Sequence, residues 1–123
     1  MLLDTHVLLW ALADDDRLRP TVRELIVDPS NDVLVSAATV WEISIKASLG
    51  KLEAPDDLLE AIDAADLGLL PIGGEHVLRS GRLPRHHDDP FDRVLVAQAE
   101  SEGLILVSAD RRMADYGVTL LPA

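Results

Sequence analysis

The sequence contains no cysteine, which rules out both a disulfide and a thiolate metal site. Aromatics are scarce, 3% of residues against 48% hydrophobic ones, so any core has to be built from Leu, Val, Ile and Ala. No apolar run approaches the roughly eighteen residues of a membrane span. The opening MLLDTHVLLW lacks the basic first segment of a secretory signal, and Asp4 interrupts its apolar run. Basic residues are few: 11 Lys and Arg against 22 Asp and Glu leave a net charge of −11. So acidic a chain is no general electrostatic trap for RNA or DNA. The expectation is a soluble, cytoplasmic protein.

What is present is a chain of 123 residues, enough to bury roughly two-thirds of its unfolded surface. No repeat or change of composition divides it, so one domain over residues 1–123 is expected. Short apolar runs at 2–4, 32–37 (DVLVSA), 69–72 (LLPI), 104–109 (LILVSA) and 118–122 (VTLLP) read as strands. Between them lie helical patterns. THVLLWALADD is one, and RPTVRELIVDP sits between Pro20 and Pro29. AATVWEISIKASLG stops at Gly50, and residues 55–68 run from Pro55 to Gly68. EHVLRSG makes one or two turns, DPFDRVLVAQAESEG is the clearest helix, and DRRMADYG is a short one. Apolar strands without polar alternation, separated by helices, predict a parallel sheet covered on both faces. The fold class is therefore α/β, a three-layer α/β/α sandwich with a central, mostly parallel sheet. In such sheets functional groups gather at the carboxyl ends of the strands.

Four acids occupy such places. Asp4 closes the first strand and Asp110 follows LILVSA. Glu42 lies in the helix after DVLVSA, and Asp92 stands one turn into the helix opened by DDP. Each also has a purely structural role open to it. Asp4 or Thr5 can cap the first helix, and Asp110 the last short one. DPFD fits a cap, with Asp89 as N-cap, Pro90 next and Asp92 at the third position. TVWE, residues 39–42, matches a capping box, and Glu42 can pair with Lys46 four residues on. Gathered in one place, however, the acids repel one another. Two unit charges ~5 Å apart at an effective dielectric near 20 cost on the order of 3 kcal/mol. A hard divalent cation such as Mg²⁺ or Mn²⁺ removes that cost and prefers oxygen ligands. Such a cage suits phosphoryl chemistry with water as the nucleophile.

LLDTHVLLW, SAATVWEISIKASLGKL, HHDDPFDRVLVAQA and LVSADRRMADYGV, in that order, resemble the PIN-domain ribonucleases, closest to the VapC-type toxins of bacterial toxin–antitoxin pairs. The resemblance spans nearly the whole chain. It implies a PIN-like fold and an endoribonuclease using Mg²⁺ or Mn²⁺. By match, Asp4, Glu42, Asp92 and Asp110 carry the family's first to fourth acids, both as catalytic residues and as metal ligands. Asp88 and Asp89 compete for the third role, and Asp92 takes it because it directly precedes RVLVAQA. Many relatives read TRN with an acid three positions on, whereas here SAD is followed by Met113, which moves the fourth acid to Asp110. Thr5 and Ser108 fall where the family often has supporting hydroxyls. The resemblance also implies a cognate antitoxin, VapB-like, blocking the site, and a homodimer.

Arg79, Arg82, Arg85, His86, His87 and Arg93 crowd one segment, either a phosphate-attracting strip or a solvated loop. Arg93, Arg111 and Arg112 stand near the four acids as candidate contacts for RNA phosphates, although Arg93 can equally pair with an acid. His86 and His87 are adjacent, so in an extended loop they point to opposite sides and ligate one metal poorly. They are read as exposed loop histidines. Trp10 and Trp41 are read as core or dimer-interface residues. Two competing functions remain. A phosphatase using Asp4 as covalent nucleophile would want an aspartate two residues on, where this chain has His6. An acidic binding module would only sequester a basic partner.

Overall fold

The computed structural model describes residues 1–86 and 88–123, so His87 lies outside the described residues. Five strands form one sheet: β1 (Leu2–Leu3), β2 (Leu34–Ser36), β3 (Gly68–Leu70), β4 (Leu106–Ser108) and β5 (Leu120–Pro122). Their order is β3-β2-β1-β4-β5, and every neighbouring pair is parallel. Leu2 pairs with Leu34 on one side and Leu106 on the other, which places β1 at the centre.

The helices are α1 (Thr5–Leu12), α2 (Pro20–Val27), α3 (Ala37–Ser48), α4 (Leu58–Ala64), α5 (Gly74–Arg82) and α6 (Pro90–Glu102), with a 3₁₀ helix at Arg111–Tyr116. They cover both faces of the sheet. Leu3, Val35 and Val107 point into a core shared with Val7, Leu8, Val22, Ile43 and Ile62. Their neighbours Leu2 and Leu106 point the other way, into a core with Leu95, Val96, Met113 and Tyr116. The period-2 alternation of a strand divides one apolar run between two cores. This is the expected three-layer α/β architecture, with a fully parallel sheet.

Several boundaries differ from the sequence reading. The helix expected from Pro55 begins at Leu58, because Asp57 caps it by accepting from Glu60 N at 3.1 Å. It ends at Ala64 rather than near Gly68, with Ala65 as C-cap and Asp66 in the left-handed conformation at φ 57°. Aspartate tolerates that conformation better than most residues. Gly68 instead opens β3, where an added Cβ would stand 2.8 Å from Leu34 Cδ2. Thr39 does not cap α3, because Ser36 does so through its bond from Ala38 N, leaving TVWE inside the helix. EHVLRSG lengthens to nine residues in α5. Gly50 stops α3 as expected, at φ +71°.

Strands leave β1 in opposite directions across the sheet, toward β2 and β3 on one side and β4 and β5 on the other. The point where the order reverses, between β1 and β4, opens a crevice at the carboxyl ends, and ligands of parallel sheets bind there. The residues just beyond those two ends are Asp4 and the segment 109–110.

Candidate active site

That crevice holds a pocket of about 390 Å³. Asp4, Thr5, His6, Trp10, Glu42, Lys46, Asp89, Asp92, Asp110 and Arg112 line it, with the Ala109 backbone. The four acids singled out by sequence therefore meet in one place, drawn from four separate segments. A larger groove of about 640 Å³ lies along α5, with Glu75, Arg79, Arg82 and Glu100 in its walls, and lacks any such gathering of acids.

Each acid is placed by local structure. Asp4 follows β1 directly and is the N-cap of α1, accepting from Val7 N at 2.9 Å. Its second oxygen accepts from the Ser108 hydroxyl at the end of β4. Both oxygens are thus bonded, which fixes the orientation of the carboxylate. Burial pushes the Asp4 carboxyl above its ordinary pKa, although those two hydrogen bonds pull the other way. Glu42 is almost fully buried on α3, accepts from the Thr5 hydroxyl, and is ion-paired with Lys46 one turn on. Thr5 and Ser108 therefore orient two of the acids.

Asp89 caps α6, accepting from Phe91 N at 2.9 Å and Asp92 N at 3.2 Å. Asp92 sits at the third position of that helix and faces the other carboxylates. Its pKa is pushed up to about 7, first by burial and then by the charges of Asp89, Asp4, Glu42 and Asp110. Asp110 caps the 3₁₀ helix through Arg112 N and receives the Arg112 guanidinium in a fork, with contacts of 2.7 to 3.2 Å. Asp4, Asp89 and Asp110 thus cap helices and line the pocket at once.

The arginines divide. Arg112 lines the pocket, while Arg111 is exposed outside its wall. Arg93 corrects the expectation of a phosphate contact. It is 5% exposed, and its guanidinium donates to the carbonyls of Ser80 and Leu83, each at 2.8 Å, and of Pro84 at 2.9 Å. Those bonds tie the end of α5 to α6. His86 is exposed, its ring edge-on to Tyr116 with centroids 4.8 Å apart, and the reading of His87 falls outside the described residues. Trp41 is 60% exposed and so is no core residue. Trp10, half-buried, lines the pocket beside His6. Lys46 was noticed in sequence only as the helix partner of Glu42; its place in the pocket wall needed the fold.

The donors offered to a metal are all carboxylate oxygens, the set a hard divalent cation prefers. Among the described residues no three acidic or histidine side chains form a ready coordination shell. Lys46 and Arg112 neutralise Glu42 and Asp110 instead. By donor chemistry the pocket suits a hard divalent cation, although its acids are not drawn together into a coordination shell.

No helix among the described residues is long and apolar enough to cross a membrane. No curated protein matches the chain in sequence. Solved structures share its fold. A DNA-bound VapBC from Salmonella typhimurium superposes with TM-score 0.72 at 18% identity, over 98% of this chain and 96% of that one. VapBC2 from Rickettsia felis, bound to a DNA fragment from their promoter, gives 0.70 at 14% identity, over 98% and 96%. A toxin–antitoxin complex from Klebsiella pneumoniae gives 0.65 at 15%, over 98% and 94%. The sequence profile of the PIN domain matches residues 1–118. From its first strand to the loop before its last, the chain belongs to the PIN domain family, whose members are nucleases acting on phosphodiester bonds.

Proposed function

We propose that this chain is a metal-dependent endoribonuclease, a single PIN domain over residues 1–123, acting as the toxin of a toxin–antitoxin pair. The observation that carries the reading is the meeting of Asp4, Glu42, Asp92 and Asp110 in one pocket at the switch point of the sheet. These four would hold Mg²⁺ or Mn²⁺. When bound, such an ion lowers the pKa of a water and shields the phosphate during in-line attack. The chain's own residues prepare the place. Ser108 and Val7 N fix Asp4, Thr5 fixes Glu42, and the Asp89 cap sets the first turn of α6 so that Asp92 faces its partners.

The likeness to chains in VapBC and toxin–antitoxin complexes supports an antitoxin partner. Lys46 and Arg112 already hold two of the acids, so a basic side chain from such a partner would find the same carboxylates. An acidic module that only binds would use the same contacts without cleaving. A homodimer is supported by the exposed apolar side chains of Trp41 and Ile45 on α3 and Leu49 at its C-cap.

The test is cleavage of a mixed RNA pool by purified protein with chelator, Mg²⁺ or Mn²⁺. Wild type should cleave only with metal, and Asp4→Asn should lose at least about a hundredfold, as when one charge-stabilising group leaves a site. Growth arrest on expression should vanish in the same variant while its folded circular dichroism remains. Cleavage or arrest undiminished in Asp4→Asn would remove the proposal, and no metal-stimulated cleavage of any RNA would favour the binding module.

A further inference from the structure

Within that reading, on which this inference rests, we infer that Lys46 is a second working cation of the pocket. It holds Glu42 while no metal is present and turns to a phosphate oxygen of the RNA once a divalent ion is held there. Three observations lead to it. First, the pocket wall carries five carboxylates, Asp4, Glu42, Asp89, Asp92 and Asp110, against two permanently cationic side chains, Lys46 and Arg112. An RNA phosphodiester is itself an anion, so it enters such a pocket only against opposing positive charge.

Second, the two cations are held differently. Arg112 forks onto both oxygens of Asp110, the cap residue two positions before it. Lys46 makes one ion pair, with Glu42, and is one-third exposed at the mouth. An ammonium on a four-carbon stem has to give up one contact to change partner, whereas a bidentate guanidinium has to give up two. Third, Glu42 does not depend on Lys46 for its orientation, because the Thr5 hydroxyl bonds its other oxygen. Lys46 can leave and the carboxylate stays aimed. The ammonium also feels the charges of Asp89 and Asp92, which share the pocket wall with it.

Lys46 therefore has two opposite effects. It competes with the metal for Glu42 and it attracts the RNA. A lysine that only neutralised Glu42 would have the first effect alone. The experiment uses Lys46→Gln and Lys46→Arg in the full chain, with circular dichroism to confirm folding. Manganese binding to the protein alone is measured by titration, and kcat and KM are measured on a short mixed-sequence single-stranded RNA with Mn²⁺. In Lys46→Gln, manganese should bind several-fold more tightly while KM for RNA rises about tenfold or more, the weight of one charge-assisted hydrogen bond. Lys46→Arg should restore most of the KM. Tighter manganese with an unchanged KM in Lys46→Gln would overturn the inference and leave the ribonuclease reading standing. A wild type that never cleaves RNA would overturn both.

Discussion

Asp92 carries the tension of the pocket in one side chain. Its carboxyl titrates near 7 in the folded chain because burial and four neighbouring acids disfavour its charge, against an ordinary value of 3.8. Between those two values the folded state keeps a proton that the unfolded state has released. Stability from this group is therefore present at low pH and falls as pH climbs through about 7. Asp92→Asn removes the charge and keeps the shape. In chelator at pH 8 it should melt about 4 °C or more above wild type. The gap should close toward pH 4, as thermal unfolding at a series of pH values will show. The same substitution should abolish cleavage, so stability and activity move in opposite directions. Equal melting temperatures across the series would mean that the carboxylates do not burden the fold. At this scale much was legible beforehand. Asp4, Asp110 and Asp92 could be found because each follows a strand or opens a helix, positions fixed by local rules. Arg93 could not, because a charged residue beside an acid suggests a surface contact, and only the approach of α5 reveals the carbonyls around it.

Between elements, α5 and α6 form the joint that supports one wall of the pocket. Arg93 bridges them from the first turn of α6, and His76 on α5 reaches Glu102 at the far end of the same helix, Nε2 to Oε1 at 3.0 Å. The Arg93 bonds hold the end of α5 just before the segment that leads to the Asp89 cap. Replacing Arg93 with Met would leave those carbonyls without their charged donor, at about 3 kcal/mol. Melting should fall by about 10 °C, and limited proteolysis should cut first within residues 83–89. Lys at this position should recover only part of the loss, since one ammonium cannot reproduce the planar fork. A melting temperature within about a degree of wild type would show the bridge to be dispensable. The helices themselves were predictable from periodicity, including the long α6. Their ends were less so. The left-handed Asp66 and the strand role of Gly68 depend on where β3 meets Leu34, a contact that no local pattern records.

For the molecule as a whole, the parallel sheet and its two cores followed from the apolar runs, whereas the strand order did not. Short strands of two or three residues leave several pairings open, and only packing selects β3-β2-β1-β4-β5. The surface is equally hard to read from composition. A chain of net charge −11 nevertheless exposes Trp41 and Ile45 on α3 and Leu49 at its C-cap, at 60%, 36% and 62%. If these three form the seam of a homodimer, Trp41→Glu should halve the mass seen by light scattering and leave the circular dichroism unchanged. A wild type that is already monomeric at micromolar concentration would discard the seam.

The bond from Ser108 to Asp4 spans 104 positions of the chain. Contacts so distant in sequence form late, after the nearby ones have settled. A polypeptide still emerging from the ribosome has its first acid exposed long before the strand that orients it has been made. The wall of the pocket around Asp4 is therefore complete only once β4 has joined the sheet beside β1.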